Sequence, residues 1–228
     1  MRWSLFLLFG FGIFSLVKAD VTVVQSIQAV DPKGVLQPAQ EMTLYLTGDK
    51  LRLDSGDISS IIRADKKMTY SILHADKVFV IMPHLAGGPV VQPMPEAEPV
   101  KAKRTGKNDR INGFDCVEVE IEQSDGTTLD AWMTQDPQAA KAQDSLKAWQ
   151  SGEYAPLLAG VGLRQGTPPL AGMEGMAVRT TVLDEHRQPT VRVEIKQLSS
   201  ATIRAELFEP PPRVQGDIDG SDRLAPSA

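Results

Sequence analysis

The residues that could do chemistry in this sequence are few and scattered. Cys116 is the sole cysteine, and the only histidines are His74, His84 and His186. A nucleophilic enzyme needs such a residue within reach of a base, and zinc ligands commonly recur three or four residues apart on one element. No histidine has a carboxylate at that spacing. We therefore expect no metal site and no cofactor.

Cys116 has two possible roles. It could be the nucleophile of a hydrolase, or a small side chain buried on a strand beside a hairpin. Free cysteines are more often buried and inert, so the second role is favoured. Glycine motifs that bind phosphate are absent, since Gly160-Val161-Gly162 lacks the third glycine of a dinucleotide loop. The sequence therefore predicts a protein that is not an enzyme.

The first nineteen residues are typical of an export signal. Arg2 provides a positive start, Trp3–Val17 is apolar, and Val17-Lys18-Ala19 places small residues where a signal peptidase cuts. The apolar run is short for a membrane helix, so an uncleaved anchor is the less favoured alternative. We expect cleavage after Ala19 and a periplasmic or secreted protein.

Charge and length restrict the remaining protein. The formal net charge of −5 becomes −7 without residues 1–19, which carry two basic residues and no acidic one. Such an acidic protein is a poor partner for nucleic acid. A lone cysteine excludes an internal disulfide, so no disulfide partner is required. We expect one domain over residues 20–210 and a disordered polar tail over 211–228.

A period of two dominates the stretch from Glu41 to Met82. Gly and Asp turns interrupt the alternation at short intervals, which predicts consecutive antiparallel strands. In the last of these strands Val78, Val80 and Met82 alternate with Phe79 and Ile81, so we expect a cover on both faces. The strands predicted with clear bounds are Val21–Ala29, Ile58–Ala64, Met68–Leu73, Lys77–Met82, Thr128–Thr134, Met176–Leu183 and Thr190–Leu198.

Two features mark the middle of the chain. Pro83–Pro99 reads as a long loop, and the basic stretch Lys101–Arg110 after it is an edge strand guarded by lysines or, less favoured, a binding patch. Asn112-Gly113 then predicts a tight hairpin. Phe114 and Cys116 fall in phase with the glutamates of the following strand. That phase indicates either a bulge near Asp115 or a second face that is partly covered.

One helix is clearly predicted. Asp136 can cap it and Pro137 suits its first position. An apolar stripe of Ala139, Ala142, Leu146 and Trp149 would lie against the sheet. With the loop that runs on to Gly175, this helix would form a lid.

The turn-and-strand motifs resemble a known family. Tyr45–Asp54, Ile111–Cys116 and Ala131–Thr134 are similar to motifs of the domain-of-unknown-function family 4412, whose members are exported bacterial proteins. Leu207–Pro210 resembles the closing strand of that family. The family in turn resembles the LolA/LolB lipoprotein carriers, which implies a mainly β fold with one or two helices. We thus expect a strongly curved antiparallel half-barrel with a helical lid and an apolar cavity.

This reading predicts a lipid or acyl-chain ligand between sheet and lid, in an envelope carrier or chaperone. The alternative is a filled, non-enzymatic adaptor or structural interaction protein that recruits an envelope protein through an edge strand or the acidic strand Val117–Glu122. The apolar residues that we expect to line the cavity and lid are Phe79, Ile81, Trp132, Met133, Trp149, Tyr154, Leu157 and Leu158.

Overall fold

The structure is a computed structural model. It describes residues 20–31, 33–83, 101–123, 126–150, 154, 158 and 174–210. The predicted signal peptide, most of the proline-rich loop and the predicted tail lie outside these residues. No helix among the described residues has the length and apolarity that a membrane span requires.

In the described residues the fold is mainly β, with eleven antiparallel strands in one large curved sheet that does not close. Strands 1–6 and strands 7–11 form its two halves, joined where β1 pairs with β11, and the sheet order is β6-β5-β4-β3-β2-β1-β11-β10-β9-β8-β7. The strands are β1 Val21–Ala29, β2 Gln40–Thr47, β3 Lys50–Ser55, β4 Ile58–Arg63, β5 Met68–Leu73, β6 Val78–Pro83, β7 Lys101–Ile111, β8 Phe114–Glu122, β9 Thr128–Thr134, β10 Met176–Leu183 and β11 Pro189–Ser199.

Tight turns keep the first half of the sheet in unbroken register. Leu46 pairs with Leu51, Leu51 with Ile62, Ile62 with Thr69, and Thr69 with Met82. Directly paired residues of neighbouring strands point to the same face of a sheet. One face of β2–β6 therefore carries Leu46, Leu51, Ile62 and Met82, and we call it the helix face.

The helix α1, Pro137–Gln150, lies on the same side of the sheet, over β10 and β11, with its C-terminal end at the turn between β2 and β3. The Asp136 carboxylate accepts hydrogen bonds from the backbone N–H of Gln138 at 2.8 Å and of Ala139 at 3.3 Å, as expected of a cap. At the other end the Trp149 indole Nε1 donates to the Gly48 carbonyl at 3.3 Å. The predicted stripe is confirmed, because its four residues share one hydrophobic cluster with the helix face.

A C-terminal strap, residues 203–209, covers the opposite face of β2–β5. The sequence predicted a closing strand here, and that prediction is wrong: Ala205–Phe208 forms a 3-10 turn. Phe208 is fully buried in a cluster with Ile61, Tyr70 and Ile72. The side chains of Arg52 and Arg63 donate to the Leu207 and Phe208 carbonyls. We call this second side of the sheet the strap face.

A contact across the second half shows how strongly the sheet curves. Asn112, in the turn between β7 and β8, donates from Nδ2 to Glu194 Oε1 at 3.0 Å and to the Ile195 carbonyl at 2.7 Å. Both acceptors belong to β11, although β9 and β10 lie between β8 and β11 in the sheet. Only a curled sheet brings these strands into contact. The hairpin prediction is also confirmed, with positive φ at Asn112 and Gly113.

Two expectations about strand coverage have definite outcomes. The register of β8 runs without a shift past Asp115, so no bulge lies there. Instead both faces of β8 are covered: Cys116 and Glu118 are buried on one, Val119 and Ile121 on the other. That explains why Cys116 falls in phase with glutamates.

The strand β6 shows the reverse. It is an edge strand, and the expectation that both of its faces are covered is wrong. Val78, Val80 and Met82 are 42%, 48% and 42% exposed. The side chains of Val78, Val80 and Met82 therefore face solvent, whereas Phe79 is partly covered.

Candidate functional site: an apolar surface on the helix face

A small cavity, about half open to solvent, lies where α1 meets the turn between β2 and β3. Its volume is about 170 Å³. Apolar protein cavities of about 150 Å³ hold a molecule the size of benzene. Most of its lining surface is apolar, and Asp144 is the one charged residue among the described residues that line it. The lining residues are Leu46, Thr47, Gly48, Asp144, Ser145, Ala148 and Trp149.

An exposed apolar strip continues the same face towards the sheet edge. Met82 pairs with Thr69 of β5, which pairs with Ile62 of β4, so Met82 lies on the helix face. Val78 and Val80 alternate in phase with Met82 and lie on the same face. Ile58, in phase with them on β4, is 52% exposed. We call Ile58, Val78, Val80 and Met82 the exposed strip.

Strand spacing explains why α1 leaves this strip uncovered. Strand β6 lies three strands beyond β3, which is roughly 14 Å at the usual spacing of 4.7–4.9 Å. A helix with its side chains is only about 10–12 Å across. Because α1 is anchored at the turn before β3, it does not reach β6. The helix face thus carries apolar side chains near α1 and again on β6, with Ser60, Thr69 and Ser71 between them on β4 and β5.

The predicted lining residues fall into three separate groups. Trp149, Tyr154 and Leu158 come together in the cluster of the helix face, where the rings of Trp149 and Tyr154 lie 4.6 Å apart. Trp132 packs against the same cluster, half-buried. These four residues are brought together as a group.

The other predicted residues lie elsewhere. Met133 is buried in a second cluster with Val119 and Ala131. Phe79 packs against the cluster around Phe208 of the strap. Ile81 lies two residues further along the same strand, so both side chains lie on the strap face. Leu157 is outside the described residues. The sequence-based set therefore does not form one continuous surface.

Sequence reasoning did not single out the exposed strip, because it selected the other phase of β6, Phe79 and Ile81. The information was present in the sequence. Two-residue turns fix the register from Leu46 through Leu51 to Ile62, and two four-residue turns carry it on to Met82. Following that phase would have selected Val78, Val80 and Met82 instead of Phe79 and Ile81.

Cys116 is buried, as the favoured reading expected. The side chain is 3% exposed, and its Sγ lies 3.5 Å from the Phe114 carbonyl. Burial raises the pKa of the thiol, which lowers the fraction of reactive thiolate. Among the described residues no group of histidine, cysteine and carboxylate side chains could hold a metal ion.

A serine, a histidine and an aspartate also meet on the strap face. Ser59 Oγ lies 2.8 Å from His74 Nε2 and donates to Asp54 Oδ1 at 2.5 Å. In a catalytic triad the histidine lies between the other two residues and frees the serine hydroxyl for attack. Here the serine lies in the middle, is 1% exposed and donates its proton to Asp54. The arrangement braces β3 against β4 and β5.

The basic stretch of β7 is largely paired within the sheet. Strand β7 is the second edge, and its Lys101 and Lys103 lie opposite Glu122 and Glu120 of β8. Lys107 Nζ contacts Glu118 Oε2 at 2.8 Å, and this hydrogen bond, with a second one from the Thr105 hydroxyl, lowers the pKa of Glu118. The edge-strand reading is therefore preferred to a binding patch.

The site and fold together define a class: among the described residues, a one-sheet β protein with an amphipathic helix on one face and an apolar surface beside it. Residues 27–213 match the family described as a domain of unknown function, DUF4412. The chain belongs to this family, which confirms the resemblance seen in its turn motifs. A comparison with curated proteins finds no match.

Several solved structures are similar to this chain at low identity. An uncharacterized conserved protein from Thermus thermophilus has a TM-score of 0.47 at 7% identity, over 87% of this chain and 88% of that one. The structure of MucB in complex with MucA(peri) has a TM-score of 0.43 at 13% identity, over 86% of this chain and 56% of that one. A putative outer membrane lipoprotein-sorting protein domain from Vibrio parahaemolyticus has a TM-score of 0.29 at 9% identity, over 84% of this chain and 89% of that one. None of these lends its activity to the chain.

Proposed function

We propose that this protein is an exported, non-catalytic carrier that binds the hydrocarbon part of a lipid on the helix face. The observation that carries the proposal is that this face has an apolar pocket at the end of α1 and exposed apolar side chains at the β6 edge. The cavity beside Trp149 would take one end of the chain, and the exposed strip would take the rest. The helix α1, held to the sheet near its two ends by the hydrogen bonds of Gln138 to the Leu198 carbonyl and of Trp149 to the Gly48 carbonyl, would act as the gate.

Partition of the hydrocarbon would drive binding. Each buried methylene contributes roughly 0.8 kcal/mol, so two more methylenes raise affinity by about tenfold. Asp144 at the cavity would disfavour an anionic headgroup nearby. We therefore expect monoacylglycerols and fatty alcohols to bind more tightly than fatty acids of equal length.

The first test is extraction of the natively purified protein and mass spectrometry of the extract. In parallel, a fluorescent apolar probe is displaced by fatty alcohols of increasing length. A plateau after a few carbons places the ligand in the cavity alone, and a continued rise extends it along the exposed strip. Absence of both copurified lipid and probe uptake contradicts the proposal.

A matched pair of helix variants separates the cavity from general apolarity. Ala148 lines the cavity, whereas Ala140 is exposed on the same helix and does not. We expect Ala148→Phe to weaken probe binding by about tenfold or more through loss of buried methylenes, with Ala140→Phe unchanged. Equal effects of the two substitutions would remove the cavity from the ligand site.

A further inference from the structure

The two edges of the sheet differ in their protection against pairing. Edge strands of natural proteins are commonly guarded by lysines, bulges or covers. The edge β7 has both of the first two: its exposed basic residues, and a register shift between Arg104 and Asn108 that contains Gly106 at φ 85°. This edge is therefore unsuited to binding another strand.

The edge β6 has neither guard. No charged residue occurs from Val78 to Pro83, and the register to β5 is unbroken along all six residues. Among the described residues, no strand pairs with its outer side. Four of its side chains are exposed by 38–48%. Short, straight, apolar and uncharged strands of this kind are the ones that accept a further strand.

We propose that β6 pairs antiparallel with β6 of a second copy of this chain. A two-fold axis through the sheet keeps each face continuous when Val80 lies opposite Val80 of the second copy. Val78 then lies opposite Met82, and Phe79 opposite Ile81. All five are apolar, so the pairing brings no like charges together.

The symmetry of this pairing also sets its size. A two-fold contact is closed, so it ends at a dimer and forms no fibre. Specific stable complexes bury roughly 1,200–2,000 Å² of surface. Six residues on each side bury a smaller area. The dimer is therefore weak and depends on concentration. The pairing uses the backbone edge and stands whether or not the helix face binds lipid.

Sedimentation velocity of the protein, expressed from its full-length gene, tests the pairing from micromolar to millimolar concentration. We expect a monomer–dimer equilibrium that Val80→Lys weakens at least tenfold. Ile58→Lys is the matched control, because Ile58 is equally exposed on the same face but two strands inside the edge. A monomer throughout the range overturns the proposal, as does a dimer that both substitutions weaken alike.

Cross-linking gives a second measurement that does not depend on a charged substitution. In a Cys116→Ala background, Val80→Cys places two thiols opposite each other in the dimer, close enough for a disulfide. We expect a covalent dimer under mild oxidation for Val80→Cys and none for Ile58→Cys. Equal cross-linking at the two positions, or none at Val80, contradicts the register. The proposal is also contradicted if the protein stays a monomer and β6 pairs only with an added apolar peptide.

Discussion

Replacing Glu194 by glutamine tests how the curled half of the sheet is held together. The Glu194 side chain in β11 is only 10% exposed. It accepts hydrogen bonds from Asn112 Nδ2 at 3.0 Å, Arg179 Nε at 2.7 Å and Lys196 Nζ at 2.7 Å. Burial alone would raise the pKa of this carboxyl, but the bonds from Lys196, Arg179 and Asn112 outweigh burial and lower it to about 2.

The lowered pKa sets the expected size and pH dependence. Relative to the ordinary value of 4.5, and with one pKa unit corresponding to about 1.4 kcal/mol, ionised Glu194 contributes about 3 kcal/mol to the free energy of unfolding at neutral pH. Because the folded state has the lower pKa, this contribution is complete above the unfolded pKa. It is lost as the pH falls towards 2, and by pH 3 only about 1.4 kcal/mol remains.

Urea unfolding of the wild type and Glu194→Gln at neutral pH and near pH 3 measures this difference. Glu41→Gln, at an exposed glutamate of β2, is the control and should change little at either pH. We expect the loss in Glu194→Gln to shrink by about half or more on acidification. An equal loss at both pH values would show that the shape of the side chain matters and its charge does not.

Three further predictions follow from single contacts. Phe208→Ala should lower the free energy of unfolding by about 3–5 kcal/mol, because the buried ring fastens the strap; a loss in urea melts no larger than that of the half-buried Leu207→Ala would contradict this packing. Asp136→Ala should lower it by about 1 kcal/mol through loss of the helix cap, while Asp136→Asn keeps most of it; similar values for both variants would exclude capping. The thiol of Cys116 should react slowly with a disulfide reagent in the native protein and rapidly in urea, and fast native reaction would show that it is accessible.

Local patterns were enough to predict most strands and the helix. The meander was readable because each strand has a period of two and each turn carries Gly, Asp or Asn. Asp136 and Pro137 marked the start of α1 within a residue or two. These features depend on residues that are neighbours in the sequence, so a single sequence is enough to predict them.

Coverage was harder to predict, because it depends on elements distant in sequence. The period of β6 separates Phe79 and Ile81 from Val78, Val80 and Met82, but it does not say which set shares a face with α1 and which with the strap. The strap was mistaken for a strand for a related reason. Its apolar residues Ile203, Leu207 and Phe208 bury against β4 and β5 without joining the ladder.

The same geometry connects the lipid proposal with the dimer. Both covers of the sheet are narrow: α1 is anchored beside Gly48, and the strap is anchored at Arg52 and Arg63 on β3 and β4. Neither anchor lies on β6, so that strand keeps apolar side chains at an open edge. In the proposed dimer the two exposed strips would join into one apolar surface across the new strand pair. Lipid binding that rises more steeply than the first power of protein concentration would then link the two proposals, whereas simple one-to-one binding would leave them independent.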